Sequence, residues 1–174
     1  MAKTFVLTFI ADDRPGLVER LSQTVAAEGG NWLESRMAQL AEKFAGIVRI
    51  EISDTNVASL ENALTALGET GFHLTISLAK GLVRTENPRL EIALEGMDRP
   101  GIVREISRCL KEFGASIEEM ITESEEAPMS GGTLFRAHIR IRLPTDLRKE
   151  DLQYSLENLS SEMMVDITLS EFEG

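Results

Sequence analysis

Asp13-Arg14-Pro15-Gly16-Leu17-Val18 returns 85 residues later as Asp98-Arg99-Pro100-Gly101-Ile102-Val103. The register continues, with Leu21-Ser22 matching Ile106-Ser107 and Gly29 matching Gly114. Over positions 13–34 against 98–119, 8 of 22 residues are identical without a gap. Further on, Phe44 to Ile50 (Phe-x-x-x-x-Arg-Ile) returns as Phe135 to Ile141, now at an offset of 91. The six extra residues fall near Glu125-Glu126-Ala127-Pro128-Met129-Ser130-Gly131-Gly132, whose Pro and Gly content marks a loop. The chain therefore reads as two copies of one unit, and internal repetition of this kind fixes the architecture before any motif is weighed. The expected boundaries are 1–81 for the first domain, 82–88 for a linker and 89–174 for the second.

Within each copy the hydrophobic period changes in a fixed order. Phe5, Leu7 and Phe9, then Leu90, Ile92 and Leu94, recur every second residue and read as strands. Leu17, Leu21 and Val25, then Ile102, Ile106 and Leu110, recur at helical spacing. Pro15 and Pro100 are placed as first helical residues, where a missing N–H costs nothing, and Gly29-Gly30 and Gly114 as helix ends. Two strands follow (32–43 and 44–53; 116–125 and 132–143), then a Leu-rich helix and a closing strand. The order βαββαβ, twice, predicts an α+β protein of two ferredoxin-like domains, each an antiparallel four-stranded sheet with two helices on one face. The first and third strands should pair in the middle. In the second copy Arg136, His138, Arg140 and Arg142 would share the open face with Glu91 and Glu95, so this arginine stripe reads as a neutralised sheet face.

The composition narrows the function. Eighteen Lys and Arg against 29 Asp and Glu give a net charge of −11, which repels phosphate backbones and argues against direct nucleic-acid binding. The single cysteine, Cys109, gives no disulfide framework, and with two histidines leaves little for a metal centre. Cys109 reads as a small buried residue, His73 and His138 as ordinary surface or half-buried residues. Glu118-Glu119 and Glu123-x-Glu125-Glu126 read as solvated. No apolar run is long enough to span a membrane and the start lacks a signal-peptide pattern, so a cytoplasmic location is expected. No phosphate-cradling glycine loop is present. No nucleophile is seen beside a base, so neither an enzyme nor a cofactor is expected.

The repeated turn joins the first strand to the first helix, whose N-terminus offers unpaired N–H groups and the positive end of the helix dipole. A carboxylate can dock there, and Gly16 and Gly101 remove a side chain from its approach. The ammonium of a free amino acid needs acceptors. Asn31, placed near the same end of the sheet, would supply one. Asp-x-Pro-Gly is also simply a good strand-to-helix turn.

Asp-Arg-Pro-Gly-Leu-Val followed by Gly-Gly-Asn-Trp on a βαββαβ frame resembles the ACT domain, a regulatory module that binds amino acids and similar small molecules. The likeness covers both halves. Asn31 through Ile52, with Glu34-Ser35-Arg36-Met37-Ala38 and Glu42-Lys43-Phe44-Ala45-Gly46, is similar to free-standing tandem ACT proteins of the glycine cleavage repressor group. That resemblance implies a regulator that does not touch DNA itself but restrains a LysR-type transcriptional activator, with glycine or a similar amino acid relieving the restraint. It also implies ligands held between modules. One site would draw on Asp12, Asp13, Arg14, Gly16 and Leu17 with the strand beginning at Ser116. The other would draw on Asp98, Arg99, Gly101 and Ile102 with Asn31 and Trp32. Asp12 corresponds to Met97 and Asn31 to Ser116, so the two sites are not equivalent. Trp32 is expected in a core or inter-domain contact, and Met163-Met164 as core filler. A ligand-free protein-interaction module is the alternative, and homodimers are left open.

Overall fold

The computed structural model describes residues 1–80, 87–127 and 131–172. Most of the expected linker, and the centre of the loop at 125–132, lie outside them. The chain divides into two compact units, 1–83 and 84–174. The first contains β1 (Ala2–Asp12), α1 (Leu17–Ala27), β2 (Asn31–Leu40), β3 (Lys43–Ser53), α2 (Val57–Gly68) and β4 (His73–Leu78). The second contains β5 (Arg89–Met97), α3 (Ile102–Glu112), β6 (Ser116–Glu126), β7 (Thr133–Arg142), α4 (Lys149–Met163) and β8 (Val165–Glu171). Each unit has one antiparallel four-stranded sheet, in the orders β2-β3-β1-β4 and β6-β7-β5-β8. The first and third strands of each copy pair centrally, as the βαββαβ order predicts. Even a bulge is repeated: the register shifts between Trp32 and Glu34 in β2 and between Ile117 and Glu119 in β6.

Each core forms where the helical stripe meets one side of the sheet. In the first unit Leu17, Leu21 and Val25 of α1 and Leu60, Leu64 and Leu67 of α2 close over Phe5, Leu7, Phe9, Val48 and Ile50. In the second, Ile102, Ile106, Cys109 and Leu110 of α3 and Leu152, Leu156, Leu159 and Met163 of α4 cover Leu90, Ile92, Leu94, Ile139 and Ile141. Each fully buried aliphatic side chain stabilises its unit by about 1.5–3 kcal/mol. Cys109 is buried, with Sγ 3.5 Å from Ser155 Oγ. Trp32 is half-buried against the first core. Met163 fills core, but Met164 does not. It is 86% exposed, at φ 54°, where it terminates α4 in the left-handed conformation.

The open face of the second sheet is neutralised, and more fully than Glu91 and Glu95 alone allow. Arg136 bonds Glu95 at 2.6 Å and also Glu125; Arg140 reaches Glu119 at 3.3 Å and Glu91 at 3.8 Å; Glu118 joins Arg89 at 3.1 Å and Arg142. The carboxylates of β6 read as solvated are thus mostly engaged. Edge strand β6 lies beside β7, so its outward acids meet the arginines there.

Candidate functional site

The two Asp-Arg-Pro-Gly segments fold alike, and not as helix starts at proline. Both helices begin one residue after the glycine, at Leu17 and Ile102. Pro15 and Gly16 occupy the centre of a turn, with Gly16 at φ 87°, ψ 3° and Gly101 at φ 99°, ψ −2°. Proline then glycine with these angles is a type II turn, which requires positive φ at its third residue. Glycine is there for backbone conformation: a Cβ added at Gly16 meets nothing within 4 Å.

The turn leaves amide donors unpaired at the start of each helix. The first helical hydrogen bonds run from Arg20 N–H to the Gly16 carbonyl and from Glu105 N–H to the Gly101 carbonyl, both 3.0 Å. The amides of Leu17, Val18 and Glu19 precede that bond and have no intrahelical acceptor. Among the described residues no side chain caps either helix start. A cleft of about 430 Å³ opens at this point in the first unit, lined by Asp13, Arg14, Gly16, Leu17, Val18, Glu19 and Phe44. A second, of about 500 Å³, is lined by Asp12, Asp13, Gln39, Ala41, Glu42 and Lys43.

The β2–β3 hairpin forms the far wall. It turns on Ala41 (φ 46°) and Glu42 (φ 63°), a two-residue connection with both central residues left-handed, which normally takes Asn-Gly. The Glu42 carbonyl accepts the Asp13 N–H at 2.9 Å. Asp12 faces Lys43 across the β1–β3 ladder and bonds its ammonium. That hydrogen bond, aided by the charge of Lys43, holds the Asp12 carboxyl below its ordinary value. Arg14 donates to the Thr70 carbonyl at 2.5 Å, just beyond the C-terminus of α2, so its charge complements that helix end.

The second copy differs. Asp98 donates its N–H to Thr133 O at 2.8 Å and its carboxylate lies 3.5 Å from Ser124 Oγ. Met97 faces Leu134 where Asp12 faces Lys43. Arg99 is exposed, Ile102 is buried, and Arg104 lies 3.5 Å from where a Cβ on Gly101 would sit.

Asn31 is not near the turn of its own unit. It pairs with Glu51, which pairs with Thr4, whereas the turn follows Asp12. Eight strand residues, about 26 Å, separate the two positions. Helix α1 carries the chain back along the sheet, so the next strand starts at the opposite end. Trp32 shares that far end, and Ser116, paired with Arg142 as is Arg89, occupies the equivalent place in the second unit. Residues missed by sequence reasoning, Glu42 and Lys43, instead complete the turn's surroundings. Their signal was the antiparallel register, which sets the start of the third strand against the end of the first.

A further cavity, of about 930 Å³, lies elsewhere, beside β4 and α2, lined by residues including Phe9, Glu61, Leu64, Phe72, His73 and Ile76. It is an open, largely apolar groove without a helix N-terminus among its lining residues.

An ACT domain model matches residues 3–77. The glycine cleavage system transcriptional repressor of Escherichia coli K12 is 21% identical over 161 residues, covering 91% of this chain and 84% of that protein. A crystal structure of an unknown protein from Galdieria sulphuraria superposes with TM-score 0.84 and 32% identity over 99% of both chains. A proposed glycine cleavage system transcriptional repressor superposes with TM-score 0.74 and 18% identity, covering 100% of this chain and 99% of that one, which shows the shared fold. The first unit thus carries an ACT domain, and the second unit repeats its topology.

Proposed function

We propose that this protein is an amino-acid-responsive, non-enzymatic regulator of the glycine cleavage repressor type, working through a protein partner and without contacting DNA. The observation that carries the reading is the Pro-Gly turn of the first unit, with uncapped amides at its end and a cleft beside them. The ligand's carboxylate docks on the Leu17 and Val18 amides. Asp13, Glu19 and Glu42 border the same clefts, whose cations Arg14 and Lys43 are engaged by the Thr70 carbonyl and Asp12, so the surroundings favour a ligand that also carries an ammonium over a bare anion. Glycine is the leading candidate because of the repressor relatives; its small size also suits a turn walled by main chain. The net charge of −11 supports a protein rather than a nucleic-acid partner. Control follows if the ligand and the partner favour different states of the regulator.

A thermal-shift screen of the full chain against the common amino acids tests this. A specific ligand at a hundredfold excess over Kd raises stability by about 2.7 kcal/mol. An unchanged melting temperature across the panel contradicts amino-acid sensing, and turnover of any of the added compounds contradicts a non-enzymatic role.

A further inference from the structure

Cross-strand neighbours point to the same side of a sheet, so the registers give each open face row by row. In the first unit one row is Ala38, Ala45, Ile10 and His73, and the next is Arg36, Ile47, Thr8 and Thr75. The equivalent rows of the second unit are Glu123, Arg136, Glu95 and Asp166, then Ile121, His138, Ala93 and Thr168. The repeat thus replaces a fully charged row with one in which Ala38, Ala45 and Ile10 stand beside His73 at the same place in the fold. Ile10 and Ile47 are 43% and 55% exposed, and Leu40, at the end of the same face, is 77% exposed. Charges flank this centre: Asp12 with Lys43 at one end, Glu34 with Arg36 and Arg49 at the other, and Glu51 beyond. An apolar centre with a polar rim is the anatomy of a protein interface.

From this face we infer that the protein pairs with a second copy of itself through the open sheet of its first unit. Two features single out a second copy. The chain carries −11 overall, yet Asp12, Glu34 and Glu51 on this face balance Lys43, Arg36 and Arg49, so two identical acidic chains approach here with least repulsion. The relief is also self-complementary: a two-fold axis along the β1–β3 seam sets Ile10 over the partner copy's small Ala45, and Ile47 over its Thr8. Four strands about 4.8 Å apart, with 11, 10, 11 and 6 residues at about 3.3 Å each, give a face of roughly 600 Å², so two copies bury about 1,000–1,200 Å² counting both surfaces, which reaches the threshold of a specific interface. This goes beyond amino-acid sensing and does not depend on it.

Sedimentation equilibrium of the full chain over a range of concentrations tests the inference. The wild-type chain is expected to dimerise. Ile47→Arg and Ile10→Asp each place a charge in the apolar centre and raise the dimer dissociation constant about tenfold or more. Thr168→Arg, exposed on the open face of the second sheet, leaves it unchanged. Circular dichroism checks folding, and Thr8→Lys, at an exposed position, carries the same expectation if Ile47→Arg misfolds. A monomer at every concentration overturns the inference. So does a dimer indifferent to the first-unit variants, or one weakened as much by Thr168→Arg.

Discussion

Gly16 and Gly101 hold backbone angles that an L side chain adopts only with strain, and their surroundings leave room for a Cβ. Substitution at Gly16 therefore acts through conformation rather than clash. Gly16→Ala is expected to destabilise the first unit by about 1–2 kcal/mol, and Gly16→Val by more because branching stiffens χ1. Urea titration measures both; wild-type stability in Gly16→Ala would contradict the turn assignment. Asp12 gives a residue-scale pH prediction. Its folded pKa is lowered, first by the Lys43 hydrogen bond and then by the Lys43 charge. Its contribution is therefore present above the unfolded value of about 3.9 and is lost as pH falls through the lower folded value. NMR titration of the Asp12 carboxyl should show a midpoint below 3.9, moving upward in Lys43→Ala. No movement would mean the pair does not form in solution.

The β2–β3 hairpin shows what local chemistry conceals at the scale of an element. Ala41 and Glu42 each sit at positive φ, and neither residue type announces a tight turn, so the sequence reads only as two abutting strands there. The tertiary contact from Asp13 N–H to the Glu42 carbonyl helps hold the strained geometry. Replacing Ala41-Glu42 by Asn-Gly should stabilise the protein by about 1–2 kcal/mol, read as a raised melting temperature; a lowered one would show that the side chains matter more than the backbone. The repeated Asp-Arg-Pro-Gly segment is legible as a strand-to-helix turn but not in its detail: Pro15 and Pro100 read as first helical residues, whereas proline and glycine together form the centre of a type II turn and the helices start at Leu17 and Ile102. The place of Asn31 was misjudged for a topological reason. Spacing along the chain brings it just past α1, but the helix runs antiparallel to β1 and delivers it to the far end of the sheet. Arg14, read as a ligand residue, is engaged at the end of α2 by Thr70, a partner 56 residues away that no local pattern reveals.

For the molecule as a whole, repetition carried the fold and charge carried the exclusions. Two copies of one hydrophobic pattern give two separate cores, and where the copies diverge, at Asp12 against Met97 and across the open faces, the units take on different surface chemistry. The net charge of −11 predicts no binding to duplex DNA at physiological salt. Fluorescence anisotropy of labelled DNA should stay flat on adding the protein, and a salt-sensitive rise would overturn the partner-mediated reading. The central claim is that an amino-acid carboxylate sits on the amides at the start of α1. Titration of isotopically labelled full-length protein with glycine, followed by amide NMR, tests it most directly. The account predicts saturable shifts of the Leu17 and Val18 amides at glycine concentrations where Gly16→Ala protein shows none. Saturable shifts confined to residues away from the turn, or none for any amino acid, would contradict it.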